Sequence, residues 1–178
     1  MEKEEIAIAL DFLPYGYPLE KIMSPIIQAI GKNNFTLLHL VPRRGITVEP
    51  KEEIYIGEGK RDKVQFIKGR LYREKLTENA KLNLQEFIEK TIQDDEKKFM
   101  NFFNNAQPIN TRLHQLELLP GFGKKHTDAI ILEREKREFA SFQDIKERVH
   151  NVPDPEKAIC KRIIEELTEI QRQNLFIK

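Results

Sequence analysis

Leu118-Leu119-Pro120-Gly121-Phe122-Gly123-Lys124-Lys125-His126-Thr127-Asp128-Ala129-Ile130-Ile131 is the most informative stretch of the 178 residues. Two glycines bracket one apolar residue, and helical sequence flanks the trio on both sides. Glycine admits positive φ and puts no side chain in the way, so amides of the turn and of the next helix start can point outward together. Such amides bind anions, and the positive end of the helix dipole reinforces them. Lys124 and Lys125 fall in that helix's first turn, where cations are unfavourable unless an anion is present. Phe122 reads as the apolar plug that tucks the turn onto the core.

The stretch resembles the helix-hairpin-helix motif of DNA- and RNA-associated proteins, an apolar-x-Gly-apolar-Gly pattern with a small residue four positions on. Phe139-Ala140-Ser141-Phe142-Gln143-Asp144-Ile145 is similar to the segment that commonly follows the hairpin. The resemblance implies hairpin amides on phosphate oxygens, a contact largely independent of base sequence. Thr127 stands where that motif usually has Ala, which implies a looser helix approach. Val149 to Ile164 looks like a second, degenerate copy, with Asn151-Val152-Pro153 in place of Gly-apolar-Gly. It is expected to complete the core and not to hold phosphate.

Outward from the hairpin, Asn110 or Thr111 is expected to open a short helix to Leu119. Ser141 to Asp144 reads as a capping box with Asp in place of Glu. Asp154-Pro155 starts a last helix with Ala158, Ile159, Ile163, Ile164, Leu167 and Ile170 on its apolar face. Upstream, Thr77 is the N-cap of one helix, or two in series, carrying Leu82, Leu84, Phe87, Ile88, Ile92, Phe99, Met100, Phe102 and Phe103. Asn104-Asn105 and Pro108 end it, so 104–110 reads as a linker. Through about Tyr72 the period is short and the turns are dense. Strands are expected at Ile6 to Leu13, Pro25 to Ile30, Phe35 to Val41 and Glu53 to Gly57. Val64 to Tyr72 fits a strand by one set of residues and a helix by Val64, Ile67 and Leu71.

As a whole the chain resembles an archaeal family, domain of unknown function 655, through Leu10 to Gly16, Phe35 to Pro42, Ile54 to Gly57, Gln107-Pro108-Ile109 and Leu116 to Lys125. The resemblance implies an α+β chain: an OB-like β-barrel over 1–75, connecting helices over 76–106 and a helix-hairpin-helix domain over 107–178. It implies nucleic-acid binding without supplying a mechanism.

Charge sharpens that expectation. The total is only +1, so bulk charge alone does not hold nucleic acid. Lys60 to Lys75, however, holds seven cations against two acids, while Glu49 to Glu58 holds four acids against one cation. Phe66 and Tyr72 interleave with the basic window, as in a barrel that stacks bases within a positive groove. The expected contacts are Arg43, Arg44, Lys60, Arg61, Lys63, Arg70 and Arg73 on the barrel, and Gly121, Phe122, Gly123, Lys124 and Lys125 on the hairpin.

Other chemistries find little support. No apolar run reaches the roughly 18–20 residues of a membrane span, and Met1 to Glu5 is acidic where a secretory leader is basic. A cytoplasmic location is expected. Cys160 is the single cysteine, and the four histidines lack ligand spacing and read as surface or capping residues, so neither metal nor cofactor is expected. Gly57-Glu58-Gly59-Lys60-Arg61 lacks the spacing and the hydroxyl residue of a phosphate loop. The expected function is non-enzymatic nucleic-acid binding, RNA slightly favoured over DNA. Two alternatives stand beside it: a scaffold docking on a ribosomal or polymerase partner, and a glycosylase-like enzyme using Lys125 and Asp144.

Overall fold

A computed structural model describes residues 3–177 of the chain. The fold is mixed α+β: a curled, five-stranded antiparallel half-barrel sheet and five α-helices. Strands β1 (Ile6–Leu13), β2 (Ile26–Gly31), β3 (Leu37–Pro42), β4 (Glu53–Tyr55) and β5 (Val64–Arg70) lie in the order β4-β1-β2-β3-β5. Helices α1 (Glu78–Asp94), α2 (Glu96–Asn105), α3 (Lys124–Lys136), α4 (Phe142–Arg148) and α5 (Pro155–Thr168) follow. Two compact units result. The first runs to Glu86 and takes in Leu167–Ile170 and Ile177; the second holds Phe87–Glu166 and Gln171–Phe176.

In the first unit, Ala7, Ala9, Ile27, Ala29, Leu38, Leu40, Ile54 and Val64 build a core on one face of the sheet. β2 is buried along its whole length, which is why it reads as an apolar run without alternation. Its one polar member, Gln28, points the other way and is fully buried. Gln28 Oε1 accepts from the Thr77 amide at 3.1 Å, and Nε2 donates to the Lys75 carbonyl at 2.5 Å. Thr77 caps α1 as expected: its hydroxyl accepts from the Ala80 amide at 3.0 Å and donates to Asp11 Oδ2 at 2.5 Å. A bulge between Ala9 and Asp11 disturbs the ladder, and Asn83 Nδ2 donates to the Leu10 carbonyl there at 2.8 Å.

The ambiguous segment is a strand. Its pairing with β3 slips twice, so Val64, Ile67 and Arg70 meet Pro42, Leu40 and Leu38 in turn. Each slip adds a residue, and positions three apart share a face. Two bulges thus imitate a helical period. Strand bounds also move: Phe35 lies in a turn at φ +57°, so β3 starts at Leu37, and β4 stops at Tyr55.

In the second unit, Phe99, Phe103, Leu116, Phe122, Ile130, Phe139, Phe142, Ile145 and Ile163 are buried. The helix expected from Asn110 or Thr111 does not form. Asn110 Oδ1 accepts instead from the amides of Arg112 and Leu113, a side-chain turn that competes with a helix start. A 3₁₀ turn over Gln115–Leu118 follows, capped by His114. The upstream helix is two in series, broken at Asp95. Leu82 and Ile170, expected on apolar faces, are exposed; α5 ends at Thr168, before Ile170 is reached.

Candidate functional site

The Gly-Phe-Gly turn opens α3, with its glycines in different roles. Gly121 has φ +85°, the left-handed region, whereas Gly123 is extended at φ −110° and ψ −170°. Asn151, in the segment read as a degenerate copy, is left-handed too, at φ +57°. A Cβ added to Gly121 would stand 3.6 Å from Pro153, so the two turns lie together.

The turn offers fewer amides than expected. The Phe122 amide donates to the Leu119 carbonyl at 3.0 Å, and the Gly123 amide donates to His126 Nδ1 at 3.2 Å. Both are spent within the fold, because a tight turn and a helix cap each need a donor. Phe122 itself is buried, its ring 6.3 Å from that of Phe103 and 5.9 Å from that of His126. It plugs the core, as expected, with its ring withdrawn from solvent. The amides of Lys124, Lys125 and His126 have no partner among the described residues, and both lysine side chains are exposed. Thr127 is buried, its hydroxyl donating to the Gly123 carbonyl at 3.0 Å.

In the first unit the basic residues divide. The Arg43 amide donates to the Lys63 carbonyl at 2.8 Å, and Arg43 Nε donates to the Arg61 carbonyl at 2.7 Å. This joins the turn after β3 to the approach to β5, gathering Arg43, Arg44, Lys60, Arg61 and Lys63 at one corner. Arg70 lies at the far end of β5, roughly 20 Å away at ~3.3 Å per residue, and Arg73 pairs with Glu169. Within the corner, Lys63 pairs with Glu52 at 2.6 Å and Arg61 Nε donates to the Gly57 carbonyl at 2.8 Å. Arg44 and Lys60 are exposed without a partner among the described residues. Phe66 is 47% exposed, beside Val41 on the outer face of β5.

The sheet's two edges, β4 and β5, line a groove of about 980 Å³ floored by Leu38, Ile56 and Ile67. Its charged lining mixes Lys3 and Arg61 with Glu4, Glu5 and Glu58, so it is less suited to a polyanion than the corner is.

Several structural residues carried no sequence signal. Arg148 Nη2 donates to the carbonyls of Glu133 and Arg137 at 2.5 and 2.7 Å, and its guanidinium lies 4.5 Å from the Phe139 ring centroid. Arg134 Nη1 donates to the carbonyls of Phe103 and Ala106. Asp144, the carboxylate of the glycosylase-like alternative, accepts from the Ala140 amide at 3.0 Å and from Arg148 Nη1 at 3.1 Å. The Ala140 amide foremost, helped by Arg148, holds its carboxyl below the usual range. Burial, with Glu89 adding to it, pushes the Cys160 thiol up to about 11, which makes it a poor nucleophile.

An open antiparallel half-barrel with a basic corner, together with a helical unit whose third helix starts with free amides, defines a two-unit α+β class. Residues 3–178 match the family model described as a protein of unknown function (DUF655), and the chain belongs to that family. It is similar to Uncharacterized protein MJ0038 of Methanocaldococcus jannaschii, 41% identical over 177 residues that cover 98% of this chain and 80% of that protein. It is also similar to the crystal structure of Af1531 from Archaeoglobus fulgidus, 47% identical with a TM-score of 0.85, covering 98% of this chain and all of that one.

Proposed function

We propose that the protein binds nucleic acid through its phosphate backbone and without catalysis, RNA slightly ahead of DNA. The sheet is read as an OB-like barrel left open between β4 and β5, and the turn at Gly121 as a helix-hairpin-helix with one active copy. The observation that carries the reading is the corner where Arg43 bonds to Arg61 and Lys63, with Arg44 and Lys60 exposed and without a partner among the described residues. Unpaired cations on a folded corner attract phosphates and lose affinity as salt rises. Exposed Phe66 offers a stacking face nearby on the strand that Lys63 leads into. The free amides of Lys124, Lys125 and His126 form a second, separate phosphate contact at the start of α3. A binding rather than catalytic role is supported by Asp144, whose carboxylate is spent on Ala140 and Arg148.

Fluorescence polarisation against single-stranded RNA, duplex RNA and duplex DNA tests this. If about three to five phosphates are neutralised, log K falls against log salt with a slope of roughly 2–5 in magnitude. Affinity that ignores salt, or absence of binding to all three, overturns the reading. Base release abolished by Lys125→Ala would replace it with the enzymatic one.

A further inference from the structure

The first unit leaves six large apolar side chains in water on three of its segments. Tyr15, Leu19, Ile22 and Met23 are on the loop between β1 and β2, Tyr72 follows β5, and Ile170 follows α5; their exposures run from 67% to 103%. Two ion pairs stitch these segments together. Lys75 Nζ meets Glu20 Oε1 at 2.6 Å, and Arg73 meets Glu169. Each of those charged residues lies within three positions of an exposed apolar one. The result is an apolar face with ion pairs inside it.

The β1–β2 loop is held in shape. The Gly16 amide donates to the Leu13 carbonyl, and the Glu20 amide to that of Tyr17. Gly16, at φ +73°, packs so closely that a Cβ there would stand 2.8 Å from the Ser24 carbonyl. Tyr17 anchors the loop inward: its hydroxyl accepts from Gln28 Nε2, its ring meets His39 edge-on at 6.0 Å, and the Lys75 ammonium lies 4.7 Å from its centroid. So the loop is pinned to the body by Tyr17 while Leu19, Ile22 and Met23 face solvent, an exposed apolar cluster larger than a loop shaped for water alone would carry.

We propose that this face is a homodimer interface, occupied by a second copy of the same chain. Area is the first argument. With about 150–250 Å² for an aromatic side chain and the low end of that range for an aliphatic one, six at these exposures offer on the order of 700–1,000 Å², comparable to the roughly 800 Å² per partner of a standard interface. Charge is the second. A self-complementary surface must not repel its own image: here Lys75 and Arg73 are neutralised by Glu20 and Glu169, and the exposed Lys21 and Glu74 left on these segments carry opposite charges. The inference is independent of the phosphate sites.

Sedimentation velocity of the full chain over a micromolar concentration series tests it, alongside Leu19→Glu/Ile22→Glu, Ile170→Glu and, as a control on an exposed residue of the other unit, Leu132→Glu. The expected result is a dimer whose dissociation constant rises at least a hundredfold in both face variants and stays put in the control, with far-UV circular dichroism unchanged throughout. A monomeric parent protein overturns the proposal. So does a dimer that both face variants leave intact.

Discussion

The main-chain amide of Arg43 donates to the carbonyl oxygen of Lys63 at 2.8 Å, and that bond brings two distant cation pairs to one corner. Not every cation there is available. Lys63 is committed to Glu52, while Arg44 and Lys60 hold nothing else among the described residues. Arg44→Ala/Lys60→Ala is therefore expected to flatten the salt dependence of RNA binding by about two in slope, one per lost phosphate contact, with stability unchanged within about 0.5 kcal/mol. Lys63→Ala is expected to leave the slope alone and cost at most about 1 kcal/mol, as a partly exposed ion pair does. Polarisation titrations at several KCl concentrations decide it, and an unaltered slope in the double variant removes the corner from the interface.

The glycines of the hairpin are unequal, and denaturation should show it. Gly121→Ala forces a side chain into the left-handed region at φ +85°, at a cost of about 1–2 kcal/mol, although Pro153 at 3.6 Å is only in ordinary contact. Gly123 is extended and faces open space, so Gly123→Ala is limited to the modest loss of a worse helix cap, under about 1 kcal/mol. Urea unfolding of the two variants gives the comparison. Equal losses would mean that the turn does not depend on the conformation of Gly121.

Much of this fold was legible because local signals agree with tertiary need. Thr77, Ser141 and Asp154 each cap where the sequence puts a cap: the Asp144 amide donates to Ser141 Oγ at 3.0 Å, and the Glu156 amide to Asp154 Oδ1 at 3.0 Å. Each miss has its own physical cause. β5 looked half helical because bulges displaced its period, and Asn110 spent its side chain on a turn that a helix-start pattern does not distinguish. At the candidate site, residue types were readable but their partners were not. Neither the loss of the Phe122 amide to Leu119 nor the contact between Arg43 and Arg61 leaves a mark in sequence spacing. His114 and His126 fit the capping reading, since Nδ1 of each accepts a backbone amide.

Arg162 and Glu166 form a buried ion pair, Nε to Oε2 at 2.9 Å, with the carboxylate fully shielded from solvent. Both ends are further bonded: Glu166 accepts from the amides of Leu175 and Phe176, and Arg162 Nη2 donates to the Gln173 carbonyl at 2.6 Å. The pair thus fastens the segment after α5 to the helix. Removing one charge strands the other, so Glu166→Gln is expected to cost about 3–5 kcal/mol, and Arg162→Met/Glu166→Gln less than the sum of the single changes. Urea midpoints for the set measure the coupling. Strict additivity would show that the two charges do not stabilise each other.

His114 makes stability depend on pH in a stated direction. Its Nδ1 accepts from the Leu116 amide at 3.1 Å, its Nε2 is buried without a partner among the described residues, and burial, then the Arg134 charge, lowers its pKa from the ordinary histidine value. The folded protein therefore resists a proton that the unfolded chain accepts near pH 6.5. The stabilisation is complete above about that value and is lost as pH falls through the lower folded one. His114→Asn keeps an oxygen to cap the 3₁₀ turn but cannot titrate, so it is expected to be within about 1 kcal/mol of the parent at pH 7.5. At pH 5 the gap should close or reverse. His39, whose pKa burial and Lys68 also lower, titrates alike in both proteins and cancels from the difference. Urea unfolding of the two at both pH values reads the gap directly; a gap unchanged between them would show that His114 takes up its proton equally well folded and unfolded.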